Sequence, residues 1–235
     1  MQIQTLPKAL MVAAFGSLFA VGALSAFAQD TADLAVKGTI VPTACSASFS
    51  GGDTVDFGTI KVADLLDSSY HSLGLKITNL HVQCSSDKAV HIQVSDVQSG
   101  TAITDKDMVA LFQMDPQIGE VNMFGLGSTT VDGKSIHLGS YTIRSMNRSV
   151  DGLTLNPIYS DDDGVTWVGD NAHMLAAKPS RLNSLGRAQD TLTPVAGKEF
   201  IFPLQINAAL NHGARLQVAQ DVKLNGQAVF TINYE

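Results

Sequence analysis

Apolar and polar residues alternate with a period of two along most of the chain. The alternation is clearest over residues 73–77, 80–84, 90–94, 200–206 and 229–234. A period of two puts successive side chains on opposite faces of a strand. Clusters of turn-forming residues, such as 50–53 and 132–133, separate these runs. Many short strands separated by turns predict an all-β sandwich or barrel.

Local details of the pattern refine this prediction. The apolar register changes between Ile77 and Leu80, which predicts a β-bulge near Asn79. The pair 225–226 is Asn-Gly and predicts a hairpin between 222–224 and 229–234. Segments 62–66 and 106–112 are short helical candidates. The stretch 100–190 is richer in Gly, Asp, Ser and Asn, and its strands are harder to place.

The N-terminus has the pattern of a secretory signal peptide over residues 1–28. Lys8 precedes an uncharged apolar run at 9–24, and Ala26-Phe27-Ala28 matches the small-x-small cleavage site. The alternative is a retained membrane anchor, for which the run is short. The chain from Gln29 onward is long enough for one domain, or for one domain with an insertion.

Composition narrows the function classes. The formal net charge is −7, with 15 Lys and Arg against 22 Asp and Glu, which argues against a nucleic-acid partner. The two cysteines, Cys45 and Cys84, are expected to form a disulfide in an exported chain. Two unpaired buried thiols are the alternative. The spacing of cysteines and histidines predicts no metal site, and we expect no cofactor.

Three landmarks together resemble the chaperone–usher pilins, the fimbrial subunits. They are the segment 33–45 after the predicted cleavage site, the segment 55–60, and the C-terminal run 228–235 with a penultimate tyrosine. The second cysteine closes the run that ends at 84. The resemblance is carried by 33–97 and 199–235. The longer middle is more similar to the longer fimbrial-like subunits of this superfamily.

The resemblance implies an incomplete immunoglobulin-like sandwich that is completed in trans by a donor strand. A periplasmic chaperone would fill the open groove, and the N-terminal extension of a neighbouring pilin would replace it at the outer-membrane usher. The implied organisation is a signal peptide at 1–28, a donor-strand extension at 29–42, and a pilin domain at 43–235 with an insertion at roughly 100–190. It implies a non-enzymatic subunit that is exported through the periplasm to the cell surface for adhesion.

The donor role falls on one face of the N-terminal segment. That face carries Leu34, Val36, Gly38 and Ile40. Gly38 stands where the donor strands of the family carry glycine, and by that match Val36 would fill the groove end that is engaged first. The alternative is the first strand of a complete sandwich.

The groove role falls on the C-terminal strand. One of its faces carries Phe230, Ile232 and Tyr234. In the family this strand borders the groove and pairs with the chaperone. Tyr234 as an ordinary core tyrosine is the alternative, and the two roles are compatible.

Residues 160–167 match the S-x-D-x-G-x-T-W pattern called the Asp box. The motif predicts a β-hairpin turn, and the alternative is a hard-cation site on Asp161–Asp163. It also raises the possibility of a periplasmic hydrolase, although G-x-S-x-G is absent. Another alternative is an adhesin or minor tip subunit with a ligand-binding insertion. Of the six histidines, His81 and His91 are predicted to face solvent from strands.

Overall fold

The computed structural model describes residues 44–65, 68–112, 118–187, 192–218 and 220–235, which lie within one compact unit, Pro42–Glu235. The protein is all-β, with one short helix, α1 (Lys106–Phe112), among the described residues. None of the helices found there is long and apolar enough to cross a membrane.

Thirteen strands are found among the described residues. The first six strands are β1 (Cys45–Phe49), β2 (His71–Asp96), β3 (Phe124–Gly125), β4 (Ser128–Val131), β5 (Lys134–His137) and β6 (Gly139–Ser145). The remaining strands are β7 (Ser149–Val150), β8 (Leu153–Thr154), β9 (Asn156–Ser160), β10 (Val168–Gly169), β11 (Leu182–Gly186), β12 (Ala196–Leu210) and β13 (Ala228–Tyr234).

The 26-residue strand β2 organises a curled antiparallel sheet. Its first part pairs with β1 on one side and β12 on the other, and β6 and β3 follow β12. Its last part pairs with β13 and, at one position, with β11, which leads on to β9 and β10. The result is a β-sandwich-like fold. The segment 100–190 contributes β6 and β11 to this sheet.

The period-two alternation is confirmed in the long strands. Residues 80, 82, 84, 90, 92 and 94 of β2 are at most 3 % exposed, as are Phe200 and Leu204 of β12. These side chains form the main core. Burial of an aliphatic or aromatic side chain stabilises the fold by roughly 1.5–3 kcal/mol. The side chains of this inner face therefore contribute much of the favourable free energy of folding.

The predicted bulge near Asn79 is wrong. Asn79 pairs with Pro203 in an uninterrupted ladder. Leu75 and Ile77 are 47 % and 66 % exposed because they lie on the outer face. The register instead shifts near Gly74, which has φ +80° and pairs with Ala208. An apolar residue on the outer face therefore mimics a register change.

The Asn225-Gly226 hairpin is also wrong, because 222–224 form no strand. The Asn225 N–H donates to the Leu126 carbonyl at 2.9 Å. A Cβ on Gly226 would lie 2.8 Å from the Tyr141 ring, so this glycine permits close packing. The turn signal at Asp132-Gly133 is confirmed, since both residues have positive φ and join β4 to β5.

A smaller core covers part of the outer face. Met108 and Phe112 of α1 pack there with Met174 and Ala209. The helix lies within the predicted segment 106–112. The other candidate, 62–66, forms a single 3-10 turn over Val62–Asp64.

The predicted disulfide is confirmed: Cys45 is bonded to Cys84. The two residues are directly opposite each other on β1 and β2, with their Cα atoms 4.0 Å apart. The bridge therefore holds β1 against β2 at one end of β1.

Replacing both cysteines with alanine is expected to lower the free energy of unfolding by about 2–4 kcal/mol. The bridge spans 39 positions, and opening such a loop increases the entropy of the unfolded chain. Urea unfolding measures the change. Reduced wild-type protein should show a similar drop, which separates loss of the bridge from the small cavity at Cys84. An unchanged midpoint in both samples would contradict a stabilising role.

Candidate functional site

The strand β13 lies at an edge of the sheet. Among the described residues, β2 is its only strand partner, in the register Ala228–Asp96 to Tyr234–Val90. Glu235 and Ala89 exchange two backbone hydrogen bonds of 3.2 Å. Such pairs recur at every second residue of an antiparallel ladder. The backbone N–H and C=O groups of Phe230, Ile232 and Tyr234 therefore point to the outer edge.

The same three residues carry the side chains that the sequence assigns to the groove. Phe230 and Ile232 are half-buried and pack against the main core. Tyr234 follows in the same phase but is 40 % exposed at the end of the strand. This face of β13 is thus apolar, in contact with the core and only partly covered.

Strand β1 lies close to β13 across the core. The Phe49 and Phe230 rings meet edge to face, with centroids 5.5 Å apart. Ser85 N–H donates to the Ala44 carbonyl at 3.1 Å and Ser50 N–H to the Asn79 carbonyl at 2.9 Å. The alternation again directs the backbone of Cys45 and Phe49 away from β2. Within the described ranges, β1 likewise pairs only with β2.

We call this arrangement the edge groove: β1 and β13, with Phe49, Phe230 and Ile232 between them. Val55, Phe57 and Ile60, from the landmark segment 55–60, are half-buried against the same core. The sequence reasoning missed Phe49. Its signal was the even spacing from Cys45, which places both side chains on one face of a strand.

The predicted donor residues Leu34, Val36, Gly38 and Ile40 lie outside the described residues. The predicted signal peptide at 1–28 and the extension at 29–42 also lie outside them.

The Asp-box hairpin is present as predicted. Strands β9 and β10 pair through Val168–Tyr159 and Gly169–Ile158. The turn between them contains Asp163 and Gly164 at positive φ. Ser160 Oγ donates to Asp162 Oδ1 at 2.7 Å, and Thr166 N–H donates to the same oxygen at 2.9 Å. In this protein the polar side chains of the Asp box therefore stabilise a turn.

The neighbouring Asp161 carboxylate forms ion pairs with two basic side chains of the protein. Arg181 Nε and Nη2 donate to the two oxygens of Asp161 at 2.9 and 2.8 Å. Lys178 Nζ lies 3.1 Å from Asp161 Oδ1. Two of the three carboxylates proposed for a cation thus have protein partners. Among the described residues, no group of three or more His, Cys, Asp or Glu is placed to hold a metal ion.

Acid is expected to destabilise this hairpin. Hydrogen bonds from Arg181 lower the pKa of Asp161 to about 2, and bonds from Ser160 and Thr166 lower the pKa of Asp162 to about 2. A depressed pKa stabilises the fold above the unfolded value of 3.8, and the gain is lost as the pH falls towards 2. Melting temperatures between pH 5 and pH 2 measure this loss.

Asp162→Asn should reduce this acid dependence, because the variant lacks the Asp162 carboxylate while that of Asp161 remains. Asp163→Asn is the matched control, since Asn tolerates the positive φ of that position. Equal acid dependence in wild type and Asp162→Asn would contradict the assignment.

The prediction that His91 faces solvent is wrong. His91 is 7 % exposed because the Trp167 ring of the hairpin packs 5.1 Å from it. Burial lowers the pKa of His91, opposed by Glu235, whose Oε1 lies 3.4 Å from His91 Nε2. His81 is half-buried. The alternation identified the outer face correctly but carried no information about the hairpin that covers it.

Comparison with known proteins adds distant relatives. Residues 34–142 match a family model described as "Protein of unknown function (DUF1120)". The chain is similar to the Escherichia coli (strain K12) protein named "Uncharacterized protein YhcF", with 27 % identity over 229 residues, 90 % of this chain and 94 % of the relative. It is also similar to "Protein GltF" of the same strain, with 28 % identity over 257 residues, 97 % of this chain and 98 % of the relative. The similarity therefore extends through the middle of the chain, where the pilin-like landmarks are weak.

Proposed function

We propose that this protein is a structural subunit of a chaperone–usher fimbria. In this proposal the β-sandwich-like domain is an incomplete immunoglobulin-like fold. Subunits polymerise when the N-terminal extension of one completes the edge groove of the next. The role is mechanical and adhesive, not catalytic.

The observation that carries the proposal is the state of β13. Its outer backbone groups have no strand partner among the described residues, and its inward side chains Phe230 and Ile232 are only half-buried. Unpaired backbone groups and exposed apolar surface both favour addition of a strand. A groove with both properties is suited to an extended segment that brings its own apolar stripe.

The segment 33–41 has such a stripe. Leu34, Val36 and Ile40 alternate with Ala35, Lys37 and Thr39. Docked on the edge groove, its apolar side chains would cover the core between Phe49 and Phe230, and its backbone would pair with β13. Each buried aliphatic side chain would stabilise the complex by roughly 1.5–3 kcal/mol.

The proposal specifies partners and a route. A periplasmic chaperone would cover the edge groove before assembly, and the outer-membrane usher would exchange it for a neighbouring subunit. The segment 1–28 would direct export, after which the subunit reaches the cell surface. The oxidising periplasm permits the Cys45–Cys84 bridge.

Co-expression with a matching chaperone and usher tests the proposal. The full chain should give a ladder of multimers on an unheated detergent gel and fibres in electron micrographs. A chain with its signal peptide intact but without 29–42 should remain bound to the chaperone. An identical ladder from the shortened chain would overturn strand exchange as the mechanism.

A further inference from the structure

A second concave surface lies beside the Asp-box hairpin, on the outer face of the sheet. It is a pocket of about 340 Å³, within the size range of small-ligand sites. Its lining consists of His91, Gln93, Asp163, Gly164, Trp167, Leu182, Asn233, Tyr234 and Glu235. We call it the hairpin pocket. Gln93 and Asn233 alternate with the core residues Ile92 and Ile232, so the hairpin pocket and the core are on opposite faces of β2 and β13.

Two amides form the floor of this pocket. Asn233 Nδ2 donates to Gln93 Oε1 at 2.9 Å. The bond fixes the orientation of both side chains and uses one polar atom of each. Gln93 Nε2 remains as a donor and Asn233 Oδ1 as an acceptor. A ligand group that both donates and accepts, such as a hydroxyl, matches this pair.

The charges around the pocket argue against an anionic ligand and make a neutral one a better match than a cation. Asp163 and Glu235 are acidic, and no Lys or Arg is among the lining residues. Burial lowers the pKa of His91, which favours its neutral form. An anionic ligand would be repelled. A cation could interact with the acceptor groups but could not accept a hydrogen bond from Gln93 Nε2. A neutral ligand with several hydroxyl groups can bond to both the amides and the carboxylates.

An aromatic ring completes the lining. Trp167 is half-buried, and its position is set by His91, with ring centroids 5.1 Å apart and planes tilted by 34°. An indole beside planar polar groups presents apolar area at a fixed place. The C–H face of a pyranose is the complementary surface, while its hydroxyls reach the amides and carboxylates.

We propose that the hairpin pocket binds a neutral pyranose sugar, with Trp167 packing against the ring and Gln93, Asn233 and Asp163 bonding to its hydroxyls. The residues proposed to bond to the sugar, Gln93, Asn233 and Asp163, lie outside the edge groove, although Tyr234 on the edge-groove face of β13 also lines the pocket. Sugar binding by the isolated chain does not require a filled edge groove, so the inference stands independently of strand exchange.

Tryptophan fluorescence of the purified full-length chain provides a direct test, because the sequence contains one tryptophan. The probes are glucose, galactose, mannose and N-acetylglucosamine, with glucuronate and choline for the anionic and cationic classes. We expect at least one neutral sugar to shift the Trp167 emission, with a Kd in the millimolar range or below. A response to choline or glucuronate alone, or to none of the probes, would overturn the proposal.

Variants then assign the response to the pocket. Gln93→Ala and Asp163→Asn should each weaken binding about tenfold or more, because the first removes a hydrogen bond to the ligand and the second replaces a charged acceptor with a neutral one. Asp163 is exposed, so its variant is expected to fold normally. Thr231→Ala is the matched control, because Thr231 is exposed on β13 and does not line the pocket. Unchanged affinity in Gln93→Ala and Asp163→Asn, with melting temperatures retained, would place the sugar elsewhere.

Discussion

Ile232→Asp is expected to abolish polymerisation while leaving most of the subunit folded. The Ile232 side chain is half-buried on the inner face of β13, and its backbone groups point to the outer edge, where no other described strand pairs with β13. A strand docked on the edge groove would finish its burial. An aspartate at this position would be buried against the apolar side chains of the docked strand with no cation to pair with. Burial of such an unpaired charge costs several kcal/mol. Loss of about 3 kcal/mol corresponds to at least a hundredfold weaker association.

The control is Thr231→Asp, one residue earlier on the same strand. Thr231 is exposed on the opposite face, and its backbone pairs with β2. Both variants carry the same new charge, so a general effect of acidity would be equal in the two. Multimer ladders on unheated gels, with circular dichroism to monitor folding, measure the difference. Equal ladders from Ile232→Asp and Thr231→Asp would show that this face of β13 is outside the polymer contact.

Val36→Asp is expected to cause a comparable loss from the donor side. Val36 belongs to the predicted apolar stripe and would enter the groove end that is engaged first. A charge at that point would oppose the replacement of the chaperone as well as the final contact. The variant should accumulate as a chaperone-bound subunit. Its own edge groove would remain intact, so it should still accept a strand from a wild-type neighbour.

Lys37→Asp provides the comparison for the donor segment, because Lys37 lies on its polar face. Mixing each variant with wild-type subunits separates the two roles. In such a mixture, Val36→Asp should enter the polymer only by accepting the N-terminal strand of a wild-type subunit, because it cannot donate its own strand. Full polymerisation of Val36→Asp alone would contradict the donor assignment.

Period-two patterning was sufficient to predict the long strands and their buried faces. Leu80, Val82 and Val94 alternate with polar residues, and the apolar face that they form is buried in the main core. The pattern failed at Leu75 and Ile77, because apolar residues also occur on the outer face of this sheet. An isolated strand contains no information about what covers its second face.

The covering elements come from distant parts of the chain, and this limited the prediction of the sites. His91 is buried by Trp167, 76 positions away in a hairpin that the Asp box predicted correctly. The hairpin pocket joins β2, β13 and that turn, so no local motif identifies it. Phe230 and Ile232 were recognisable as one apolar face, whereas the open edge beside them depends on strand order, which only the fold shows.

The central claim is that the edge groove accepts the segment 33–41. A chain lacking 29–42 would be purified and mixed with a synthetic peptide of residues 33–41, and its melting temperature recorded as the peptide concentration rises. The account predicts a saturable increase with the native peptide, and none with a peptide that carries Val36→Asp. An unchanged melting temperature with both peptides, or the same increase with both, would contradict it.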